Sequence, residues 1–372
     1  MSNISTEEMD QALRQCESEP IHQIGQIQPH GALLVLSPDS RRIVLQASGN
    51  LEEFFDLYVA VVCGNPLAEV IGVATAEQIE QLIQQAGDNN PAAKVISFVH
   101  RQVIHNLQAR VFLSGNMFVL ELMHDVGEDQ GQNIGGLLQM LQRSLLTVNT
   151  ERDIHRYFDR VATVVRELTE FDCVMVYRFD AIWEGEVIAE SRVETVHSYL
   201  GTRFPASDIP SQARKLYTRN LVRQIADVGA KGIPVLPALN PDTQQPLDMT
   251  YSVLRSLSSV HVEYLRNMGV SASMSISLLQ NGRLWGLIAC HHMTPKQVPY
   301  PLQEAAAFIS DIVSTRLALT EINEQRNLGT EATRIIGELL KSIASCVFRA
   351  TWTPIPGEAG HRFQSKLDSD ST

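Results

Sequence analysis

Ser271-Ala-Ser-Met-Ser-Ile-Ser-Leu-Leu-Gln-Asn281-Gly282-Arg-Leu-Trp-Gly-Leu-Ile-Ala-Cys-His291 is the stretch on which the fold turns. Two alternating runs meet at Asn281-Gly282, a dipeptide that tolerates the two positive φ angles of a type I′ turn, so the segment predicts a β-hairpin. On its first strand Ser271, Ser273, Ser275 and Ser277 share one face, and Ala272, Met274, Ile276 and Leu278 share the other. Burying the apolar face leaves a row of hydroxyls turned toward something polar.

Working outward, apolar periodicity predicts strands over 172–179 and 184–190 and a helix over 153–168, with helical spacing also from Leu137 to Leu146. After 190 comes a proline-punctuated loop and then a helix opening at Pro210, where proline suits the first turn. A helical pattern around His261 is closed by Gly269, and another follows Pro301 through Phe308, Ile312 and Leu317, continuing past Asn327 to about Ser345. Nearer the N-terminus, strands are expected over 31–36 and 42–47 about a Ser37-Pro-Asp-Ser40 turn, with further β-rich runs over 93–99 and 109–122. The polar, Gly-bearing stretch 124–133 is the expected linker, and 348–372 lacks periodicity and is expected to be disordered. The fold class is α+β in two domains.

The composition narrows the function. The 372 residues, 44% of them hydrophobic, are enough for two cores. A net charge of -12 argues against a nucleic-acid partner, which calls for a basic stripe. The five cysteines at 16, 63, 173, 290 and 346 have neither paired spacing nor companion histidines, so no disulfide framework or zinc site is indicated. Residues 1–10 carry no signal-type apolar core, and no stretch has the roughly 18 apolar residues of a membrane helix, so a cytoplasmic protein with no membrane span is expected.

Several residues stand out for their chemistry. Asp208 lies in the loop Arg203-Phe-Pro-Ala-Ser-Asp-Ile-Pro210, where it serves either the start of the next helix or a ligand. Arg223 and Arg255 fall on separate elements. They are either unrelated surface arginines or a pair able to hold two carboxylates, since guanidinium binds carboxylate bidentately. His261 and His291 each have the same ambiguity between a satisfied core histidine and a functional one. Cys16 sits in Cys16-Glu-Ser-Glu-Pro-Ile-His22, ahead of the first domain, where a covalent ligand would not disturb a core. No activated nucleophile, phosphate-cradling glycine loop or carboxylate couple is present, so no enzymatic activity is expected.

Taken together, Tyr177-Arg-Phe-Asp180, Gly185-Glu-Val-Ile-Ala-Glu190, Phe204-Pro-Ala-Ser-Asp-Ile-Pro210, Ala213-Arg-Lys-Leu-Tyr217, Leu254-Arg-Ser256, Tyr264-Leu-Arg-Asn-Met-Gly269 and Leu284-Trp-Gly-Leu-Ile-Ala-Cys-His-His292 resemble the bilin-binding GAF domain of phytochromes. The Cys16 segment with Ile27-Gln-Pro-His-Gly31 resembles the N-terminal arm and PAS domain of bacteriophytochromes. The resemblance implies an arm over 1–20, a PAS domain over 21–125, a linker over 126–133, a GAF domain over 134–323, a helical extension over 324–346 as the start of a PHY remnant, and a tail over 347–372. It also implies antiparallel sheets with flanking helices, an arm knotted through the GAF domain with Ile27 inside the loop, and a long C-terminal helix.

Carried over residue by residue, the resemblance makes Cys16 the thioether link to the A-ring vinyl of biliverdin IXα. Asp208 and His261 become the groups facing the pyrrole nitrogens, and Arg223 and Arg255 the propionate partners, with Ser273 and Ser275 as hydroxyl contacts. His291 becomes the donor to the D-ring carbonyl, with Tyr177, Phe204 and Tyr264 around that ring and Ile209 and Tyr217 lining the pocket. Plant and many cyanobacterial members attach their bilin to a cysteine at the position that is Val260 here, which points to Cys16 and to biliverdin rather than a reduced bilin. The expected function is red/far-red light sensing by isomerisation about the 15,16 double bond.

Helices over 134–147 and 301–323 are the expected homodimer interface. The sequence past the long helix shows neither a PHY pattern nor an ATP-binding glycine-rich segment, so a poorly stabilised far-red-absorbing state is expected. A response regulator would be reached only through a kinase module supplied elsewhere. The competing expectation is a PAS-GAF dimerisation scaffold without photoactivity, or a remnant of a sensor histidine kinase.

Overall fold

The computed structural model of the protein describes residues 19–88, 90–100, 103–124 and 151–350. Cys16, most of the 124–133 linker and the expected helix over 134–147 lie outside the described residues.

Among them, the strands form two antiparallel sheets. The first brings together β1 (Gln26–Ile27), β2 (Gly31–Leu36), β3 (Val44–Ser48), β4 (Ala92–His100), β5 (Val103–Ser114) and β6 (Met117–His124). β2, Gly-Ala-Leu-Leu-Val-Leu, is buried along its whole length because both of its faces are covered. Leu34 and Leu36 point into a core with the short helices α1 (Leu51–Phe55), α2 (Val59–Val62), α3 (Leu67–Ile71) and α4 (Val73–Ile83), while Leu33 and Val35 point into a second core with Ile27, Met249 and Leu254. The run expected over 109–122 is broken in the structure. Gly115, at φ +64°, turns the chain between Ser114 and Met117, and β5 and β6 pair as a hairpin.

The second domain opens with α5 (Ile154–Thr169), one residue later than predicted. Its start is set by Asp153, whose side chain accepts a hydrogen bond from Arg156 N at 2.9 Å. The second sheet follows: β7 (Cys173–Phe179), β8 (Gly185–Arg192), β9 (Arg203–Phe204), then α6 (Ser211–Tyr217) and β10 (Val222–Ile225). β11 (Ile233–Leu236), α7 (Ser259–Asn267), β12 (Ala272–Gln280) and β13 (Arg283–His292) complete the strands. The order of this sheet is β10-β12-β13-β7-β8-β9. The hairpin that opened the reading is β12–β13, and Asn281 and Gly282 have φ of 51° and 75°, as a type I′ turn requires. Ala272, Met274, Ile276 and Leu278 are fully buried, as expected of the apolar face.

Gly286 of β13 lies so close to β7 that a Cβ there would run into the Tyr177 carbonyl. Since a backbone atom cannot yield as a side-chain tip can, Gly286→Ala is expected to lower stability by about 2 kcal/mol. Urea unfolding of the two proteins measures this, and equal midpoints would mean that the sheet yields there at little cost.

β11 departs from the domain order. It joins the first sheet, which runs β1-β11-β3-β2-β6-β5-β4. The segment around Ile27 is thereby gripped on both edges by later chain: Val235 N donates to Gly25 O at 2.9 Å, Gln28 N to Leu254 O at 2.7 Å, and Ser256 N to Gln26 O at 2.9 Å. β3 and β11 consequently have no free inner edge.

The final helix, α8, runs Tyr300–Ala350, unbroken and a little beyond the Ser345 expected. Up to Arg316 it belongs with the body that contains both sheets, and there Leu279 N donates to Ser314 Oγ at 3.0 Å. From Leu317 on it is a unit of its own, in which Arg334 pairs with Glu338 at 2.6 Å. Residues 348–350, expected in the tail, are helical.

Candidate chromophore site

Strand register fixes the floor of the site. Arg223 stands opposite Ser275, which stands opposite Ala289, itself opposite Met175. One step along, Ser273, His291 and Cys173 form the neighbouring row. Because side chains alternate, these two rows share one face of the sheet, joined at β7 by Tyr177. The predicted serine face is therefore real. Ser277, at its far end, is covered by protein, donating to Tyr217 O at 2.8 Å.

The loop over 203–210 and helices α6 and α7 face this floor. Tyr177, Phe204, Ile209 and Tyr217 pack in a single cluster, with Tyr199. The Tyr177 and Phe204 rings are 5.9 Å apart. Only glycine at 185 admits the Tyr177 ring, since a Cβ there would overlap it. The loop is held by Arg214, whose Nη1 donates to Ile209 O at 2.5 Å and Ala206 O at 3.2 Å and whose guanidinium lies 4.7 Å from the Trp183 ring centroid. Burial raises the Asp208 carboxyl pKa, opposed by hydrogen bonds from Ser207 and Tyr264. Tyr264 in turn stacks on His261, with centroids 6.2 Å apart. Asp208, Tyr264 and His261 thus come together, as expected.

Burial pushes His261 down to about 4, with smaller contributions from the Arg223 and His291 charges. His291 is also depressed to about 4 by burial, and its Nδ1 is buried without a hydrogen-bond partner. Both rings are neutral at pH 7, each offering one donor and one acceptor nitrogen. His291 lines a cavity of about 290 Å³ together with Cys173, His197, Tyr199, Met268 and Met293.

Neither arginine is a surface residue. Arg255 is only 2% exposed, and its guanidinium reaches Met249 O at a long 3.5 Å. Arg223 donates through Nη2 to the carbonyls of Arg255 and Ser256 at 3.1 and 3.2 Å, and burial lowers its pKa. Among the described residues no carboxylate pairs with either guanidinium. A buried guanidinium without a counter-charge is costly, and two arginines linked through the Arg255 carbonyl, neither with a carboxylate among the described residues, suit a ligand with acid groups. Among the described residues no cluster of metal-binding side chains is found, and no helix is long and apolar enough to cross a membrane.

Comparison with known proteins agrees with this geometry. A PAS fold model matches residues 16–123 and a GAF domain model matches 153–320. The chain is 40% identical over 324 residues to a bacteriophytochrome of Pseudomonas aeruginosa, covering 86% of this chain and 43% of that protein. It is 38% identical over 320 residues to cyanobacterial phytochrome B of a Nostoc species, covering 84% and 41%. The solved chromophore-binding domain of an unusual bacteriophytochrome, RpBphP3 from R. palustris, superposes with a TM-score of 0.75 at 34% identity, covering 83% of this chain and 99% of that one. The chain belongs to the phytochrome family. It is a PAS-GAF photosensory module, and it spans about two fifths of the length of the curated relatives it matches.

Some residues of this phytochrome site were missed by the sequence reading. Met175 and Cys173 precede Tyr177 by two and four positions, so alternation along β7 already places them on its face. Tyr199, His197 and Arg214 come from irregular chain or from a helix flank, where no periodicity marks them. Cys16 and its chemistry lie outside the described residues.

Proposed function

We propose that the module is a red/far-red photoreceptor that holds biliverdin IXα, attached through Cys16. The observation that carries this reading is the buried Arg255 and the half-buried Arg223, neither paired with a carboxylate among the described residues, with Arg223 standing opposite Ser275 on the face that carries Ser273 and the neutral His291. Biliverdin has two propionates, and Arg255 and Arg223 would hold them, with Ser273 and Ser275 as further donors. Asp208 and His261 would face the pyrrole nitrogens. The unpartnered Nδ1 of His291 fits a group with a carbonyl to be held, such as the D ring. Tyr177, Phe204, Tyr264, Ile209 and Tyr217 would exclude water around it. The chemistry the bilin supplies when bound is absorption of red light and isomerisation about its 15,16 double bond. The residues bind and orient rather than turn over a substrate, so the module is no enzyme.

Attachment at Cys16 is an addition. The thiol sulfur bonds to one carbon of the A-ring vinyl, the proton goes to the other, and no oxidant is needed. Val260, 52% exposed on α7, offers no thiol at the alternative position. The grip on Gln26–Gln28 from both edges supports an arm threaded through the following domain, with Ile27 inside the loop. Phe308, half exposed on α8, supports a homodimer formed by that helix. An output such as a kinase acting on a response regulator would lie in other domains. A scaffold without photoactivity would gain nothing from a buried Arg255 and a half-buried Arg223 that no carboxylate among the described residues offsets.

Cys16→Ser is expected to abolish covalent attachment while leaving non-covalent uptake of biliverdin. Zinc-enhanced bilin fluorescence on a denaturing gel is the readout, and a fluorescent Cys16→Ser band would move the attachment to another cysteine.

A further inference from the structure

Glu121, on β6 of the PAS sheet, is completely buried in a strand that is otherwise apolar up to its last residue, His124. Apart from Arg110 of the neighbouring β5, its carboxylate is spent on one stretch of the GAF domain. Oε1 accepts from Ser252 Oγ at 2.5 Å and from Leu254 N at 3.0 Å, and Oε2 lies 3.3 Å from both Val253 N and Arg110 Nη1. Ser252 Oγ in turn accepts from Arg255 N at 2.8 Å. Neighbouring carbonyls are taken as well: Arg110 Nη1 donates to Tyr251 O, and Asn220 Nδ2 to Thr250 O at 2.6 Å. Residues 249–256 belong to no strand or helix, and these side chains add to the few backbone bonds, such as those of Leu254 and Ser256 with Gln28 and Gln26, that fix their path.

We propose that Glu121 is a positioning residue for the ligand's acid groups: through Ser252 and the amides of 253–255 it presets the Arg255 guanidinium that receives a propionate. The proposal rests on the reading of Arg255 as a propionate partner. Anchoring the loop alone would not call for a buried charge, since an apolar contact there avoids the desolvation cost. A carboxylate that accepts several donors of one loop defines that loop's path, and a path set before binding spares the ligand the cost of ordering it. On this account the PAS domain supplies, from a distance, part of the affinity of a site built in the GAF domain.

The test is a cycle between protein and ligand in the Cys16→Ser background, where binding is reversible. Dissociation constants are measured for biliverdin and for its dimethyl ester, which lacks the acid groups, on the parent and on Glu121→Gln. Glu121→Gln should weaken biliverdin about tenfold and the ester less than about twofold, and the difference should vanish when Arg255→Met is added. Should Glu121→Gln fail to fold, Ser252→Ala removes only the hydroxyl between Glu121 and Arg255 N, and the same selective loss is expected. Equal weakening of acid and ester by either variant overturns the positioning role, because a general loosening of the fold does not discriminate between them. A parent that binds neither compound overturns the photoreceptor reading itself.

Discussion

The Arg255→Met variant is expected to be more stable as apoprotein than its parent, and to bind biliverdin about a hundredfold more weakly. Both effects come from one feature. Arg255 is buried, its best described partner is a carbonyl at 3.5 Å, and no carboxylate among the described residues neutralises it. Methionine is close enough in shape to fill the space without the cost of a buried charge. Such replacements commonly stabilise by about 1 to 4 kcal/mol. The same change strips a propionate of its partner, and losing one side of a buried charge pair typically costs about 2 to 5 kcal/mol in binding. Urea unfolding of the apoprotein and biliverdin titration in the Cys16→Ser background measure the two halves. Unchanged affinity would mean that Arg255 is no ligand residue. Lower stability would mean that its packing outweighs its charge.

The apoprotein is expected to lose stability steeply as pH falls from about 6.5 toward 4. His30, His261 and His291 all have pKa values lowered to about 4 by burial. In the window between the folded and unfolded values the unfolded chain binds protons that the folded chain does not, so acid favours unfolding. Above about 6.5 the stabilisation is fully present. Each histidine contributes a slope of about 1.4 kcal/mol per pH unit in that window, or about 4 for the three. Asp208 works the other way, since its raised pKa favours the folded state as pH falls, but it is one group against three. Urea midpoints at about pH 7.5 and about pH 5 test this. A flat profile would contradict the burial of these rings, and His261→Gln with His291→Gln should reduce the slope.

Local signals carried much of the fold. Asn281-Gly282 specified a turn, alternation in 271–278 specified which face is buried, and Asp153 ahead of an apolar stripe marked a helix start. Each of these is decided within a few residues. The membership of β11 in the first sheet was not legible: Ile233–Leu236 is four residues long, contains a proline, and pairs with Ala47 and Ser48 far away in the chain. Nothing local encodes such a partner. In the site, the ordered motifs pointed to Asp208, His261, Tyr264 and the serine face, which the fold brings together. Spacing could not show that Arg255 is buried and Arg223 half-buried, which counts against two unrelated surface arginines. Glu121 carried a signal that went unread, a single carboxylate inside Met-Phe-Val-Leu-Glu-Leu-Met, where a buried charge requires partners.

The most direct test of the photoreceptor reading is the absorption spectrum of the purified protein after assembly with biliverdin, recorded before and after red illumination. The account predicts a sharpened red band that free biliverdin lacks, diminished by red light as the bilin isomerises in a pocket that holds its acid groups. A spectrum that stays that of free biliverdin and does not respond to light would contradict it.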